Sequence, residues 1–135
     1  MEDINLDMPI LIVDDSASMR RIVMKFLENA GFNRFVEAED GNEALAVVKK
    51  QKIDLIISDL NMPDMDGMEF LRIVKADAQF KDIPFVMLTV EAIQKTMNTA
   101  LSMGVDSYIV KPITENLFVN ELKRVIYSKN KQGIE

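Results

Sequence analysis

Five side chains that could do chemistry each stand at the end of a short apolar stretch. They are Asp14 and Asp15 after the first stretch, Asp59 after the third, Thr89 at the end of the fourth and Lys111 after the fifth. If the stretches are parallel strands, these side chains leave the sheet at one edge, where open α/β sheets bind ligands. Each residue alone could be an ordinary turn former or a solvated charge. The five together at one edge indicate a binding or reaction site.

The residue types predict a site that holds a phosphoryl group. Three carboxylates brought together stay ionised at neutral pH only when a cation is near. Because the ligands on offer are all oxygen atoms, they favour a hard cation such as Mg²⁺ over zinc or copper. Lys111 adds a positive charge and Thr89 adds a hydroxyl donor for phosphate oxygens. Asp59, central among them, is then the natural nucleophile for an aspartyl-phosphate.

The elements that must carry these residues follow an alternating pattern. Short apolar runs that suit burial on both faces of a parallel sheet predict strands at residues 8–13, 35–38, 53–57, 84–89 and 107–110. Amphipathic stretches with helical spacing separate the strands and follow the last one. Such alternation implies right-handed crossovers and one α/β domain built on a doubly wound parallel sheet.

Capping residues and apolar spacing predict where the helices begin and which faces they bury. Ser16 or Ser18, Asp40, Asp66 and Thr114 are placed to cap four of the helices. The predicted buried residues are Met19, Ile22, Val23, Phe26 and Leu27 in the first helix, and Ile93, Met97, Ala100 and Leu101 in the fourth, which is expected at about 91–103.

Size and composition bound the class of protein. The 135 residues suffice for one domain, expected over 1–135 with a core at about 8–128 and a frayed polar end. A formal charge of −6, from 22 acidic and 16 basic residues, argues against nucleic acid or an anionic membrane as the main partner. Without cysteine or histidine there is no disulfide, thiolate or imidazole chemistry. No signal peptide or membrane-spanning apolar run is visible, so we expect a cytoplasmic protein without membrane insertion.

Four short motifs in a fixed order carry a family resemblance. They are VDDS at 13–16, SDLNMPDMDG at 58–67, LTVEA at 88–92 and YIVKP at 108–112. With them, the sequence resembles the receiver domain of two-component response regulators over nearly its full length. SMRRIV at 18–23 and EAEDGNEAL at 37–45 are most similar to the single-domain regulators of chemotaxis. The resemblance implies a flavodoxin-like (βα)5 fold with strand order 2-1-3-4-5.

The resemblance also implies a role for the acidic residues. Asp59 would accept a phosphoryl group from a sensor histidine kinase. Asp15, Asp59 and the backbone carbonyl of Asn61 would bind Mg²⁺ directly, with Asp14 acting through a water molecule. The domain would promote its own phosphorylation and dephosphorylation without being an enzyme for a separate substrate. It would signal as a monomer through protein contacts, with a flagellar motor switch protein and a phosphatase as further partners.

By the same resemblance, Thr89 and Lys111 would hold phosphate oxygens, and the Lys111–Pro112 peptide bond is expected to be cis. Movement of Thr89 toward the phosphate would let Tyr108 rotate from an outward to an inward position. That rotation would remodel the surface of the fourth helix, fifth strand and fifth helix. Val90 departs from the small residue that usually follows this threonine. It predicts slower self-phosphorylation than in a Val90→Ala variant, and equal rates would contradict the prediction.

Other functions remain open at this point. Within the family, the chain could be a phosphorelay intermediate or a regulator of another pathway, or a degenerate receiver used for docking, although the intact acid set argues against the last. A Mg²⁺-dependent phosphohydrolase with an aspartate nucleophile usually has a DxD motif and a cap domain, whereas this chain has Asp14-Asp15-Ser16. A flavodoxin would need a Ser/Thr/Gly-rich loop after the first strand, where two acids would repel phosphate without a metal.

Overall fold

A computed structural model describes residues 4–134 as a five-stranded parallel sheet covered by five helices. The strands are β1 (Ile10–Val13), β2 (Phe35–Ala38), β3 (Leu55–Ser58), β4 (Phe85–Thr89) and β5 (Ser107–Val110). The helices are α1 (Ala17–Asn29), α2 (Gly41–Lys50), α3 (Gly67–Ala76), α4 (Gln94–Ser102) and α5 (Glu115–Ile134). The strand order is β2-β1-β3-β4-β5, which confirms the predicted flavodoxin-like topology.

The three central strands are buried along their whole length, because helices cover both faces of the sheet. Alternate residues of each strand point to opposite faces, so Leu11 and Ile56 belong to one apolar cluster while Ile10 and Ile57 belong to the other. The register brings the carboxyl ends of β1 and β3 side by side, because Val13 pairs with Ser58. The residues that follow these two strands must therefore lie at one edge.

Helix starts follow the predicted capping pattern. Ser16, rather than Ser18, caps α1 by accepting from the Met19 amide. Asp40 and Asp66 accept in the same way from the amides three residues later. Thr114 Oγ1 accepts from the Leu117 amide at 3.3 Å and so caps α5. These hydrogen bonds between residues three apart fix the position at which each helix begins.

Two predicted buried faces are partly wrong. Ile22 in α1 is 45% exposed, although Val23 and Leu27 are buried as expected. Helix α4 begins at Gln94 rather than near 91, and Ile93 is its exposed N-cap residue. Leu101 is also exposed, so Ala100 is the buried residue of this short helix. Apolar spacing identified the amphipathic helices but overestimated the width of the stripe that each one buries.

The polar stretch near the end of the chain also differs from the prediction over the residues that the structure describes, which exclude Glu135. The polar stretch from Ser128, expected to fray, continues α5 as far as Ile134. Burial of Leu122, Val125 and Ile126 against the sheet holds the helix from which this last part extends. Between Ile4 and Ile134, no helix is both long and apolar enough to cross a membrane.

Candidate functional site

Three carboxylates meet at the carboxyl edge of the sheet. One oxygen from each of Asp14, Asp15 and Asp59 can be chosen so that all three lie within 4.8 Å of one another. The cause is the register, because β1 and β3 are neighbours and the acids follow paired strand ends. Asp14 is buried and Asp15 is exposed, so the cluster has a dry side and a side open to solvent. Three oxygen ligands of this kind fit a hard divalent cation.

Asp59 is held tightly at the centre of the cluster. Its amide donates to the Val13 carbonyl at 2.8 Å, which extends the ladder between β3 and β1 by one residue. Its Oδ1 accepts from the Leu60 amide at 2.7 Å. The side chain is 11% exposed, and Oδ2 faces the Lys111 ammonium. One carboxylate oxygen of Asp59 is thus fixed by backbone, while the other is directed toward the charged site.

Lys111 places its ammonium among these acids. Its Nζ lies 3.1 Å from Asp14 Oδ2 and 3.6 Å from Asp59 Oδ2. The Lys111 amide donates to the Thr89 carbonyl at 2.8 Å, and the Lys111–Pro112 bond is cis as expected. This group holds three carboxylates and one ammonium, which gives a net charge of −2 when all are ionised. The excess negative charge makes the group a favourable site for a divalent cation.

Glu91 connects Thr89 and Tyr108 through two hydrogen bonds of its backbone. Thr89 is fully buried, and its Oγ1 accepts from the Glu91 amide at 3.2 Å. The Tyr108 hydroxyl donates to the Glu91 carbonyl at 2.8 Å. Burial of the ring, together with the charges of Glu91 and Asp59, raises the pKa of Tyr108 above 10. The half-buried ring packs against the core, so this is not the outward position expected for it before phosphorylation.

The remaining predicted residues lie at the rim of the site. Asn61 is exposed, two residues after Asp59 in the loop that follows β3. Val90, next to Thr89, is 67% exposed. With Met19 and Ile22 it borders an apolar groove of about 380 Å³ that also reaches Lys111, Pro112 and Ile113. Val90 therefore lies on an exposed apolar surface that reaches Lys111, and it is not part of the acidic cluster.

Gly67 is a site residue that the sequence did not single out. A Cβ added at Gly67 would overlap the carbonyl oxygen of Asp59 and lie 2.9 Å from the Leu60 Cα. The Gly67 amide donates to the Leu60 carbonyl at 2.8 Å, so the start of α3 packs directly on the backbone beside Asp59. In the sequence, Gly67 is only the last residue of the motif at 58–67. A close backbone approach leaves no signal in the sequence beyond the glycine itself.

Comparisons with known proteins agree with this geometry. The family model for the response regulator receiver domain matches residues 10–123. This chain belongs to the response regulator receiver family. The receiver is 42% identical over 122 residues to chemotaxis protein CheY-3 of Vibrio cholerae, covering 90% of this chain and 94% of that protein. It is 38% identical to chemotaxis protein CheY of Pseudomonas aeruginosa, covering 91% of this chain and 99% of the relative.

Solved structures give the same result for the fold. Chemotaxis response regulator CheY4 of Vibrio cholerae superposes with a TM-score of 0.81 at 39% identity, over 88% of this receiver and 98% of that chain. A CheY-like receiver domain protein from Methanospirillum hungatei superposes with a TM-score of 0.86 at 26% identity, over 93% and 98% of the two chains. This receiver is therefore a CheY-type phosphoacceptor signalling domain, related over most of its length to chemotaxis regulators.

Proposed function

We propose that this chain forms one receiver domain that accepts a phosphoryl group on Asp59 and thereby controls the flagellar motor in chemotaxis. The observation that carries the proposal is the placement of Asp59. One of its oxygens is held by the Leu60 amide at 2.7 Å, and the other faces the Lys111 ammonium at 3.6 Å within an acidic cluster. The relatedness to chemotaxis regulators supports the choice of pathway.

In the proposed reaction, a carboxylate oxygen of Asp59 forms a bond to the phosphorus of a phosphohistidine on a sensor histidine kinase. The bond from phosphorus to the imidazole nitrogen breaks, and the electron pair stays on that nitrogen. Lys111 stabilises negative charge on the phosphoryl oxygens, and Thr89 offers its hydroxyl to one of them. A carboxylate loses no proton when it attacks phosphorus, so this step needs no general base.

The acidic cluster fits Mg²⁺, since it offers oxygen ligands and an excess of negative charge. Asp15, Asp59 and the Asn61 backbone carbonyl would hold the ion directly, and Asp14 would act through water. When bound, Mg²⁺ supplies positive charge that offsets the repulsion between phosphoryl oxygens and the acids. Asp14 stays oriented toward the site because its Oδ1 accepts from the Ser16 amide at 2.9 Å and its Oδ2 contacts Lys111. The same groups promote hydrolysis of the aspartyl-phosphate. The domain therefore acts on its own phosphoryl group rather than on a separate substrate.

The proposed output depends on Thr89, Glu91 and Tyr108. Attraction of the Thr89 hydroxyl to the phosphoryl group competes with the bond that it accepts from the Glu91 amide. Glu91 also binds the Tyr108 hydroxyl, so a change at Thr89 is passed to the ring. The conformation in which Glu91 holds the Tyr108 ring is the signalling state. The phosphoryl group interacts more favourably with this conformation, so phosphorylation increases its population.

The proposed partners are a sensor histidine kinase, a flagellar motor switch protein and a phosphatase, and the receiver works as a cytoplasmic monomer. A net charge of −6 is consistent with protein partners rather than nucleic acid. The alternative is a receiver that serves a non-motor phosphorelay or another signalling pathway. It would use the same chemistry on Asp59 and differ in what the activated surface binds.

Binding of the N-terminal peptide of a flagellar motor switch protein tests the proposal. Titrations would compare receiver alone, with Mg²⁺, and with Mg²⁺ and beryllofluoride, which stands in for the phosphoryl group on Asp59. Asp59→Asn is the matched control. We expect tighter peptide binding only in the activated wild type. If nuclear magnetic resonance shows beryllofluoride at Asp59 but the peptide does not bind, motor control is wrong and the phosphorelay alternative replaces it.

A further inference from the structure

Arg20 makes contacts at the site that the reaction does not explain. Its Nη1 donates to the backbone carbonyl of Asp14, and its Nε donates to Glu37 Oε1 at 2.7 Å. The Arg20 side chain is 11% exposed, against 45% for Glu37. Arg20 thus ties the end of β1 to the edge strand β2 from a position on the first turns of α1. A largely buried guanidinium with two oriented contacts is a fixed structural element.

The carbonyl that Arg20 binds has a special position. The carbonyl of Asp14 belongs to the peptide group that joins Asp14 to Asp15, so its direction sets the plane between the two acidic residues. Rotation of that plane would turn the Asp15 carboxylate relative to that of Asp14. Asp15 is exposed, whereas Asp14 is also held through the Ser16 amide and Lys111. The bond from Arg20 is therefore well placed to fix the direction of the freer acid.

Two effects of Arg20 on a bound cation have opposite signs. Its positive charge repels a divalent cation and should weaken binding. Its hydrogen bond to the Asp14 carbonyl fixes the ligands and should strengthen binding, because less ordering is left for the moment of binding. Glu37 reduces the first effect by pairing with the guanidinium, and it supports the second by holding Nε.

We propose that Arg20 is a positioning residue for the divalent cation, acting through the Asp14–Asp15 peptide group and oriented by Glu37. This inference rests on the proposed function, since it assumes that the cation binds at the acidic cluster. Lysine cannot replace arginine in this role, because one ammonium cannot hold the carbonyl and the carboxylate in the same two-point geometry. Arg20→Lys therefore keeps the charge and removes the geometry.

Calorimetric titration of the full chain with Mg²⁺ alone tests the role. We expect Arg20→Lys to weaken Mg²⁺ binding about fivefold, the effect of losing one ordinary hydrogen bond. Arg21→Lys is the matched control, because Arg21 is the exposed neighbour on the same helix, and it should bind Mg²⁺ like the wild type. Unchanged binding in Arg20→Lys, or tighter binding in Arg20→Met, would mean that only the charge matters and would overturn the inference.

The same titration with Ca²⁺ separates positioning from charge. Mg²⁺ requires near-octahedral ligand placement, whereas Ca²⁺ tolerates irregular sites. Misplaced acids in Arg20→Lys should therefore lose more affinity for Mg²⁺ than for Ca²⁺, whereas a pure charge effect would leave both affinities unchanged, because lysine keeps the charge. Equal losses would count against the inference even if Mg²⁺ binding fell.

Glu37 provides a second route that does not depend on replacing Arg20. We expect Glu37→Ala to weaken Mg²⁺ binding about threefold, because the Arg20 guanidinium loses one hydrogen-bond partner. Glu37→Gln should keep most of the wild-type Mg²⁺ affinity. In an Arg20→Met background, Glu37→Ala should change nothing further. Additive losses would contradict a shared role.

The titrations also distinguish failure of the metal site from failure of this inference. If the wild type binds no Mg²⁺, the proposed metal site itself is wrong and the inference fails with it. If the wild type binds Mg²⁺ and the variants bind it equally well, the inference alone is wrong.

Discussion

Two lysines with side chains 14% exposed lie at opposite edges of the sheet and have different surroundings. Lys111, at the carboxyl edge, contacts Asp14 and Asp59 of the proposed phosphorylation site. Lys75, near the amino edge, contacts Asp106 Oδ2 at 3.4 Å and the carbonyls of Lys81 and Ile83. Asp106 Oδ2 also accepts from the Phe85 amide at 2.8 Å at the start of β4. Both groups are compact, largely buried and polar.

Charge balance separates the two groups. At the amino edge, one carboxylate faces two ammoniums, because Lys129 Nζ lies 3.4 Å from Asp106 Oδ1. The remaining contacts of Lys75 are to neutral carbonyl oxygens, which satisfy its donors without adding charge. At the carboxyl edge, a cluster of three carboxylates includes one ammonium, which contacts Asp14 and Asp59. We therefore expect the first arrangement to be structural, and we propose that the second is completed by a cation and a phosphoryl group.

The largest effect is expected at the amino edge. Asp106→Ala should lower the free energy of unfolding by about 3 kcal/mol, because it leaves the Lys75 ammonium and the Phe85 amide without their carboxylate partner. Glu28→Ala, at an exposed acid on α1, should change it by less than about 0.5 kcal/mol. Urea unfolding measures both. A loss below about 1 kcal/mol for Asp106→Ala would show that this cluster is not structural.

The carboxyl edge should be most sensitive to backbone packing at Gly67. Gly67→Ala should destabilise the fold by about 2 kcal/mol, because the new methyl group overlaps the Asp59 carbonyl and must displace β3 or α3. Helix propensity alone would favour alanine by about 1 kcal/mol, so the sign distinguishes the two effects. Thermal unfolding gives the sign. A more stable variant would mean that α3 can move away from Asp59 at little cost.

Neutralising one acid should have opposite effects at the two edges. Without divalent cations, Asp59→Asn should stabilise the fold by about 1 kcal/mol, since it relieves repulsion among three carboxylates. Asp106→Asn should destabilise it, because the charge that pairs with Lys75 is lost. Mg²⁺ should then raise the melting temperature of the wild type but not of Asp59→Asn. Stabilisation of both asparagine variants would remove the proposed difference between the edges.

The difference between the edges also explains what the sequence could predict. Asp14, Asp59 and Lys111 directly follow strands whose apolar runs are unmistakable, so a parallel topology was enough to bring them together. The Lys75–Asp106 pair is 31 residues apart and joins a helix end to a loop, which no periodic pattern encodes. Arg20 was missed for a similar reason, because its partners are a backbone carbonyl and a residue on the edge strand. Tertiary packing decided these contacts and also left Ile22 and Leu101 exposed.

The smallest expected effect is a shift in the pKa of Tyr108. This shift shows whether the negative charges at the carboxyl edge reach the Tyr108 ring. Burial of the ring, with the charges of Glu91 and Asp59, holds the pKa of Tyr108 above 10. The folded state therefore keeps the phenol proton when the unfolded chain has lost it. The stabilising contribution is complete below pH ~10 and is lost as the pH rises through the folded-state pKa.

Ultraviolet absorbance of tyrosinate, taken as the difference between the wild type and Tyr108→Phe, measures this pKa. Because burial is the larger cause, Glu91→Gln should lower the pKa of Tyr108 only part of the way toward 10, and Asp59→Asn by a smaller amount. Glu28→Gln, at an exposed acid on α1, should leave it unchanged. Equal shifts from all three substitutions would mean that the net charge of the protein, rather than the acids near Tyr108, sets its ionisation. In that case the charges of Glu91 and Asp59 would have no special effect on the pKa of Tyr108.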